Sequence, residues 1–416
     1  VSVVLDPPRT GSRWVLPFLG AVTFLTAIGN IGLVSIMPTI GRMLQIPDFL
    51  VAGIFSLSAL TWAISAPFWV SRIERKGPNP YIRAGLVGFV VSMSGCALSV
   101  ELGLLGLLTP FAAFLLFSIL RSTYGLLGSA AATATQALIA AETTGAARTR
   151  AITTLAGALS LGTIVGPAIA PAMIVDPLGP LGPMLGFALL GGFALAGAFV
   201  CLPRDRLDGA SVPGGAPNMS LAQVWRRKGV GHHLSFGLLL CSAQAINLYT
   251  IGFVIIDRMA EDPLAAQRMI GLAMTAAAAA ALLGQWGFVR LFSPSPLAMM
   301  RIGTGFAFAG NLLAVFDGGV QAAALGFVLA SFGYGLARPG FSAAASLAGS
   351  SEDQVAIASA ITFIAGASIT LPPVLASAAY QWSRPAPFAI AAAIGGALLL
   401  SHLLPALVRH IVHDER

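Results

Sequence analysis

Charge is what this sequence has least of. Lys, Arg, Asp and Glu make up 9% of its 416 residues, where a soluble domain carries about 25%. So few charges cannot cover a water-exposed surface. Histidine and cysteine are scarcer still, with five residues and three. Cys96, Cys201 and Cys241 all fall inside apolar segments. They have neither metal-ligand spacing nor the pattern of a disulfide framework, so no metal site is expected. A glycine-rich phosphate loop is also missing, which excludes ATP as the driving energy. An intramembrane enzyme would need a nucleophile with a base, or a metal cluster. Only His402 lies inside an apolar run, with no acid beside it. No catalytic residue and no bound cofactor are expected.

What fills the chain instead is apolar. Hydrophobic residues make up 56%, gathered in runs long enough to cross a bilayer. These runs predict twelve helices, at 14–39, 48–72, 81–100, 109–139, 151–174, 181–203, 231–256, 268–291, 297–316, 320–347, 354–381 and 386–409. The fold class is therefore an all-α integral membrane protein with twelve transmembrane helices. Arg9 and Arg13 precede the first run, which is long and lacks a small-residue cleavage site. It reads as a spanning helix and not as a cleaved signal. The stretch 204–230 differs from the rest. It holds Arg204, Asp205, Arg206 and Asp208, then Pro213, Gly214, Gly215 and Pro217, then Arg226, Arg227 and Lys228. It reads as a solvated cytoplasmic linker between an N-terminal half, 1–203, and a C-terminal half, 231–416.

The net charge of +7 does not point to nucleic acid. With both termini cytoplasmic, seventeen of the 23 basic residues fall on the inside and four on the outside (Arg42, Arg258, Arg268 and Arg384). That asymmetry is the positive-inside signature of an inner, cytoplasmic membrane protein. The last two, Arg121 and Arg338, lie in the middle of apolar helices. A cation there costs roughly 2.5–3.5 kcal/mol on insertion scales, so it must face protein, water or a ligand.

The two halves echo each other. Asn30 and Asn247 are 217 residues apart, as are Arg121 and Arg338; Arg72 and Arg290, Arg83 and Arg301, and Gly85 and Gly303 are 218 apart. A near-constant offset indicates a duplicated six-helix unit, an architecture that transporters use around a midplane site.

Three motifs resemble the major facilitator superfamily, and within it the drug:proton antiporter-like exporters. The loop after the second helix, from Pro67 through Glu74, Arg75, Lys76 and Gly77 to Gly85, is similar to the superfamily's signature loop. Glu74 stands for its aspartate, Val70 for its first glycine, and Pro78 and Asn79 for its arginine pair. In the fourth helix, Arg121, Tyr124 and Gly125 resemble the Arg-x-x-Gln-Gly motif, with Tyr124 in the glutamine slot. In the fifth, Gly162, Gly166 and Pro167 resemble the Gly-x-x-x-Gly-Pro exporter motif. The resemblance implies two pseudo-symmetric six-helix bundles. It also implies a cytoplasmic gate at Glu74, Arg75 and Gly77, and proton handling near Arg121.

The residues themselves add a substrate class. None of the 16 acidic residues sits near a helix centre; Asp48, Glu101 and Asp257 lie toward the outer ends. Arg121 and Arg338 therefore lack an acidic partner in the membrane. Guanidinium matches carboxylate or phosphate bidentately. The expected cavity holds Arg121, Arg338, Asn30, Asn247, Gln244, Tyr124 and Tyr334, with Thr26, Tyr249, Gln285 and Trp286 as further candidates. The expected function is proton-gradient-driven efflux of a small anionic or amphipathic solute, such as a carboxylate siderophore or an acidic metabolite, by a protein acting as a monomer in the bilayer. Glu101 and Asp257 are the coupling candidates beside a substrate that carries its own proton. A broad drug exporter and an organic-anion importer remain alternatives.

Overall fold

The computed structural model describes residues 14–143, 145–202, 221–227, 229–316, 318–350 and 353–414. The acidic and Pro/Gly part of the expected linker, including Arg204, Arg206 and Gly214, lies outside the described residues, as does Lys228. The described chain is helical and, apart from one isolated bridge, contains no β-structure. In order the helices are α1 Val15–Met43, α2 Asp48–Lys76, α3 Asn79–Leu104, α4 Pro110–Glu142, α5 Gly145–Ala172, α6 Gly182–Cys201, α7 Leu221–Arg226, α8 Val230–Arg258, α9 Pro263–Leu282, α10 Val289–Phe292, α11 Pro296–Val315, α12 Gly319–Ala348, α13 Gln354–Thr370, α14 Pro372–Trp382 and α15 Ala386–Asp414. Among the described residues, eleven spans are long and apolar enough to cross a membrane, and Ala386–Ser401 is a shorter apolar helix.

Local chemistry sets many of the helix starts. Proline opens α4, α9, α11 and α14, where its missing N–H costs nothing. Thr109, Asp262 and Ser295 cap α4, α9 and α11 by accepting from backbone N–H groups three residues on. Two expected helices are subdivided. Residues 268–291 form most of α9, a π-helical turn at Leu283–Phe288, and α10. Residues 354–381 divide at Leu371, where Pro372 and Pro373 interrupt the backbone bonding. Arg42 belongs to the last turn of α1 and not to a loop. Within the expected linker, α7 is an added helical turn, its Val224 buried.

The chain divides into two compact units, Val1–Leu33 with Leu57–Gly215, and Val34–Ser56 with Ala216–Arg416. Helices α1 and α2 each contribute to both. In the first unit, Ile73, Ile82, Leu86, Ala134 and Leu138 form the centre of a buried cluster. In the second, Leu234, Phe236, Met300, Tyr334, Phe341 and Ile364 do the same. Outward-facing Leu189, Phe193, Phe199 and Val200 on α6 present an apolar surface that suits lipid. Small residues let the helices touch backbone to backbone. A Cβ added at Gly166 of α5 would lie 2.6 Å from the Ile28 carbonyl oxygen of α1, and one at Gly162 would lie 2.5 Å from Ala27 Cβ.

Candidate functional site

In the first unit the polar residues converge on Arg121. The Arg121 side chain is enclosed, with the residue 5% exposed. Its Nη2 donates to Asn30 Oδ1 across the α4–α1 interface. Its guanidinium carbon lies 5.2 Å from the Tyr124 ring centroid, within cation–π range. Tyr124 itself reaches Asn30 and Thr26 and is braced by Phe89 and Trp62, at centroid distances of 5.4 and 5.9 Å. Gly125 explains how α4 comes so near α2: a Cβ there would sit 2.4 Å from the Ser58 carbonyl oxygen. Ser58 Oγ in turn donates to the Arg121 carbonyl at 3.3 Å. The arginine thus has neutral partners that the sequence reading did not give it. Asn30 and Tyr124 supply them without a carboxylate.

The matched residues of the second unit do something else. Asn247, 1% exposed, donates to Asn311 Oδ1 at 2.8 Å and to the Tyr334 hydroxyl at 3.4 Å. Asn311 donates to the same hydroxyl at 3.0 Å. Asn247 Oδ1 is buried with no partner among the described residues. Arg338 lies one turn beyond Tyr334 on α12 and is exposed. It is therefore not enclosed as Arg121 is. Its guanidinium makes no hydrogen bond or ion pair with a described residue, though Cys241 of α8 lies close enough to feel its charge. Position 341, the counterpart of Tyr124, is a buried phenylalanine, so no ring hydroxyl holds an Asn247–Arg338 pair together. Gln244 is half-buried on α8, and Tyr249 packs against Phe55 at 5.4 Å. Gln285 and Trp286 are exposed on the π-helical turn.

The remaining sequence candidates lie apart from these clusters. Glu74 and Arg75 are exposed at the end of α2, and Arg75 Nε donates to the Ser71 carbonyl at 3.2 Å. Glu74 makes no ion pair among the described residues. Gly77 follows at φ +75°, a left-handed conformation that ends the helix. Gly162 and Gly166 face α1, as described above, and Pro167 is buried within α5. Glu101 is half-buried near the end of α3 without an ion pair among the described residues.

Asp257 is different, and the network around it was not legible. Its Oδ1 is 3.2 Å from Arg42 Nη2, and its Oδ2 accepts from the Tyr380 hydroxyl at 2.7 Å. Arg42 also grips Asp48 with two bonds of 2.8 Å. These four side chains line a cavity of about 610 Å³ together with Gln45 and Arg384. Asn311 was missed as well; its signal was a lone amide in an apolar run. The fork between Arg42 and Asp48 had only a weak signal, a spacing of six residues across a turn.

Residues 19–371 match the family model of the Major Facilitator Superfamily. The chain belongs to the major facilitator superfamily. Its membership accounts for the all-helical architecture and the apolar spans, and marks the chain as a multi-pass membrane transporter. Solved structures agree on the fold. The chain is similar to the human organic anion transporter MFSD10 (TETRAN), at 19% identity and a TM-score of 0.63, covering 96% of this chain and 100% of that one. It is similar to the nucleoside transporter NupG, at 14% identity and a TM-score of 0.70, covering 94% and 98%. It is also similar to a bacterial homologue of the human lysosomal transporter Spinster, at 11% identity and a TM-score of 0.69, covering 97% and 96%. No curated protein matches the sequence.

Proposed function

We propose that this superfamily member is a secondary active transporter that exports a small anionic or amphipathic organic solute, powered by the proton gradient, through alternating access. In this reading it acts as a monomer in the inner membrane with both termini cytoplasmic. Residues 204–230 join the six-helix halves 1–203 and 231–416, and Glu74, Arg75 and Gly77 serve the inner gate. The observation that supports the solute class is Arg338. A guanidinium in the middle of a spanning helix is exposed, without an acidic partner, on the helix that supplies Tyr334 to the Asn247–Asn311–Tyr334 cluster. A mid-membrane cation in that state is best balanced by an anionic ligand. Carriage of organic anions by MFSD10 is compatible with that class.

Binding to purified protein in lipid nanodiscs tests it. Against a panel of mono- and dicarboxylates and hydroxamate or carboxylate chelators, at least one acidic member binds. Arg338→Gln weakens that binding about tenfold or more, the scale of a lost charge-assisted hydrogen bond. Arg338→Lys keeps the charge, loses the bidentate fork and falls between the two. The unfolding temperature of all three proteins stays the same, because the side chain is exposed. A lipophilic cation that binds tightly while every acid fails would overturn the solute class.

A further inference from the structure

The cavity around Asp257 brings Arg42 together with two carboxylates, the three side chains coming from three helices, and the two carboxylates are not equivalent. Arg42, from the last turn of α1, gives Asp48 a parallel two-bond fork, Nε to Oδ1 and Nη2 to Oδ2, both at 2.8 Å. Asp48 is the first residue of α2, where the helix dipole also favours its negative charge. Asp257, in the last turn of α8, gets only the longer 3.2 Å contact from a nitrogen already committed to Asp48. Arg42 thus holds Asp257 less firmly than it holds Asp48.

The tyrosine beside it is placed to serve both protonation states. The Tyr380 hydroxyl lies 2.7 Å from Asp257 Oδ2 and 3.4 Å from the Phe253 carbonyl oxygen. While Asp257 is ionised, Tyr380 donates to it. When Asp257 Oδ2 holds a proton, that O–H donates to the Tyr380 oxygen, and the tyrosine hydrogen turns to the Phe253 carbonyl. No buried polar group is left stranded in either state. The other polar groups facing this region are accounted for. Arg384 lines the cavity. Arg258 points away and donates to the Gly319 carbonyl at 2.7 Å. Gln267 of α9 is uncharged and bonds Thr39 and the Ser35 carbonyl. Asp262 caps α9, and Glu261 lies on the exposed turn after α8.

We propose that Asp257 is the proton-binding residue of the transport cycle, exchanging its contact with Arg42 for a proton and thereby loosening the α1–α2 corner from α8 and α14. The step is balanced. A proton from water in the cavity binds Asp257. The Arg42–Asp257 attraction falls, Arg42 keeps its charge and its fork to Asp48, and the net charge of the three groups goes from −1 to zero. The corner it loosens is Val34–Ser56, which packs within the second unit while the remainders of α1 and α2 belong to the first. Protonation therefore acts on the two helices that run through both units. The inference rests on the transport reading above and gives it a protein-borne coupling site in place of a substrate that carries its own proton.

Trp382, which lines the same cavity, provides a reporter that needs no solute. Bimane is attached to Gln45→Cys in a protein whose Cys96, Cys201 and Cys241 are changed to alanine, and its quenching by Trp382 is followed in nanodiscs. Acidification raises the fluorescence through one transition as the corner loosens, and Trp382→Phe abolishes the change. Asp257→Asn is bright at every pH, whereas Asp48→Asn keeps a transition. Tyr380→Phe moves the transition, because the hydroxyl that bonds Asp257 is lost. A transition that survives in Asp257→Asn, or is missing from the parent or from Asp48→Asn, overturns the proposal. If Asp257→Asn fails to fold, the Tyr380→Phe protein decides: an unmoved transition overturns it. Failure of the Arg338 binding test alone removes the anionic solute and leaves this switch standing. Failure of the fluorescence titration alone removes the switch and leaves the solute reading intact.

Discussion

Arg121 and Arg338 show how differently one residue type can be held at matched positions. Arg121 is surrounded by an amide oxygen and an aromatic face, both good partners for a guanidinium in a low-dielectric site. Arg338 is exposed. A third arginine, Arg227, lies just after α7 and meets Asp353 at 3.2 Å. Asp353 also accepts from Ser350 Oγ at 2.8 Å and from its backbone N–H at 3.2 Å. The bond from the Ser350 hydroxyl, with lesser help from its N–H and from Arg227, holds the Asp353 carboxyl below the ordinary carboxylate range. A lowered folded value means that the stabilisation is present above the unfolded value and is lost as pH falls through the folded one. Asp353→Asn is expected to unfold at a lower temperature than the parent at neutral pH. The two melting curves, followed in detergent, converge below about pH 4.

At the scale of elements, small residues decide which helices touch. Gly166 is the clearest case, because the backbone of α1 occupies the space a side chain would need. Backbone cannot rotate out of the way as a side chain can, so Gly166→Val must push α5 off α1. The expected cost is about 1–3 kcal/mol, the usual range for overpacking. It is measured as a fall in unfolding temperature and a loss of monodispersity in detergent. Gly192 on α6 is the control. Nothing lies within 4 Å of a Cβ placed there, so Gly192→Ala leaves stability unchanged or slightly raises it. The π-helical turn at Leu283–Phe288 belongs to the same scale. It widens the helix where Gln285 and Trp286 sit, a feature often found at functional positions. Apolar periodicity predicted one helix there, because hydropathy does not register a change of hydrogen-bond period.

For the whole molecule, the distribution of basic residues makes a statement about sidedness. With both termini inside, Pro263 at the start of α9 lies outside and Gly214 in the linker lies inside. A membrane-impermeant maleimide added to intact cells is expected to label Pro263→Cys and to spare Gly214→Cys. Opened vesicles should label both. The reverse pattern in intact cells would overturn the topology and, with it, the direction in which the Asp257 cavity takes up protons.

Much of the architecture was legible in the sequence, because a bilayer demands long apolar helices and a bias in loop charge. The helices expected from hydropathy lie close to the observed ones, and the superfamily motifs fell on α2, α4 and α5. The cost of burying charge was legible too, which is why Arg121 and Arg338 stood out. What only the tertiary structure decided was partnership. Asn30 is 91 positions from Arg121 and Asn247 is 64 from Asn311. Asp257 is 123 positions from Tyr380. Hydropathy is a property of each residue in its own segment. A hydrogen bond depends on how segments far apart in the chain are rotated and brought together, and that is set by the packing of whole helices.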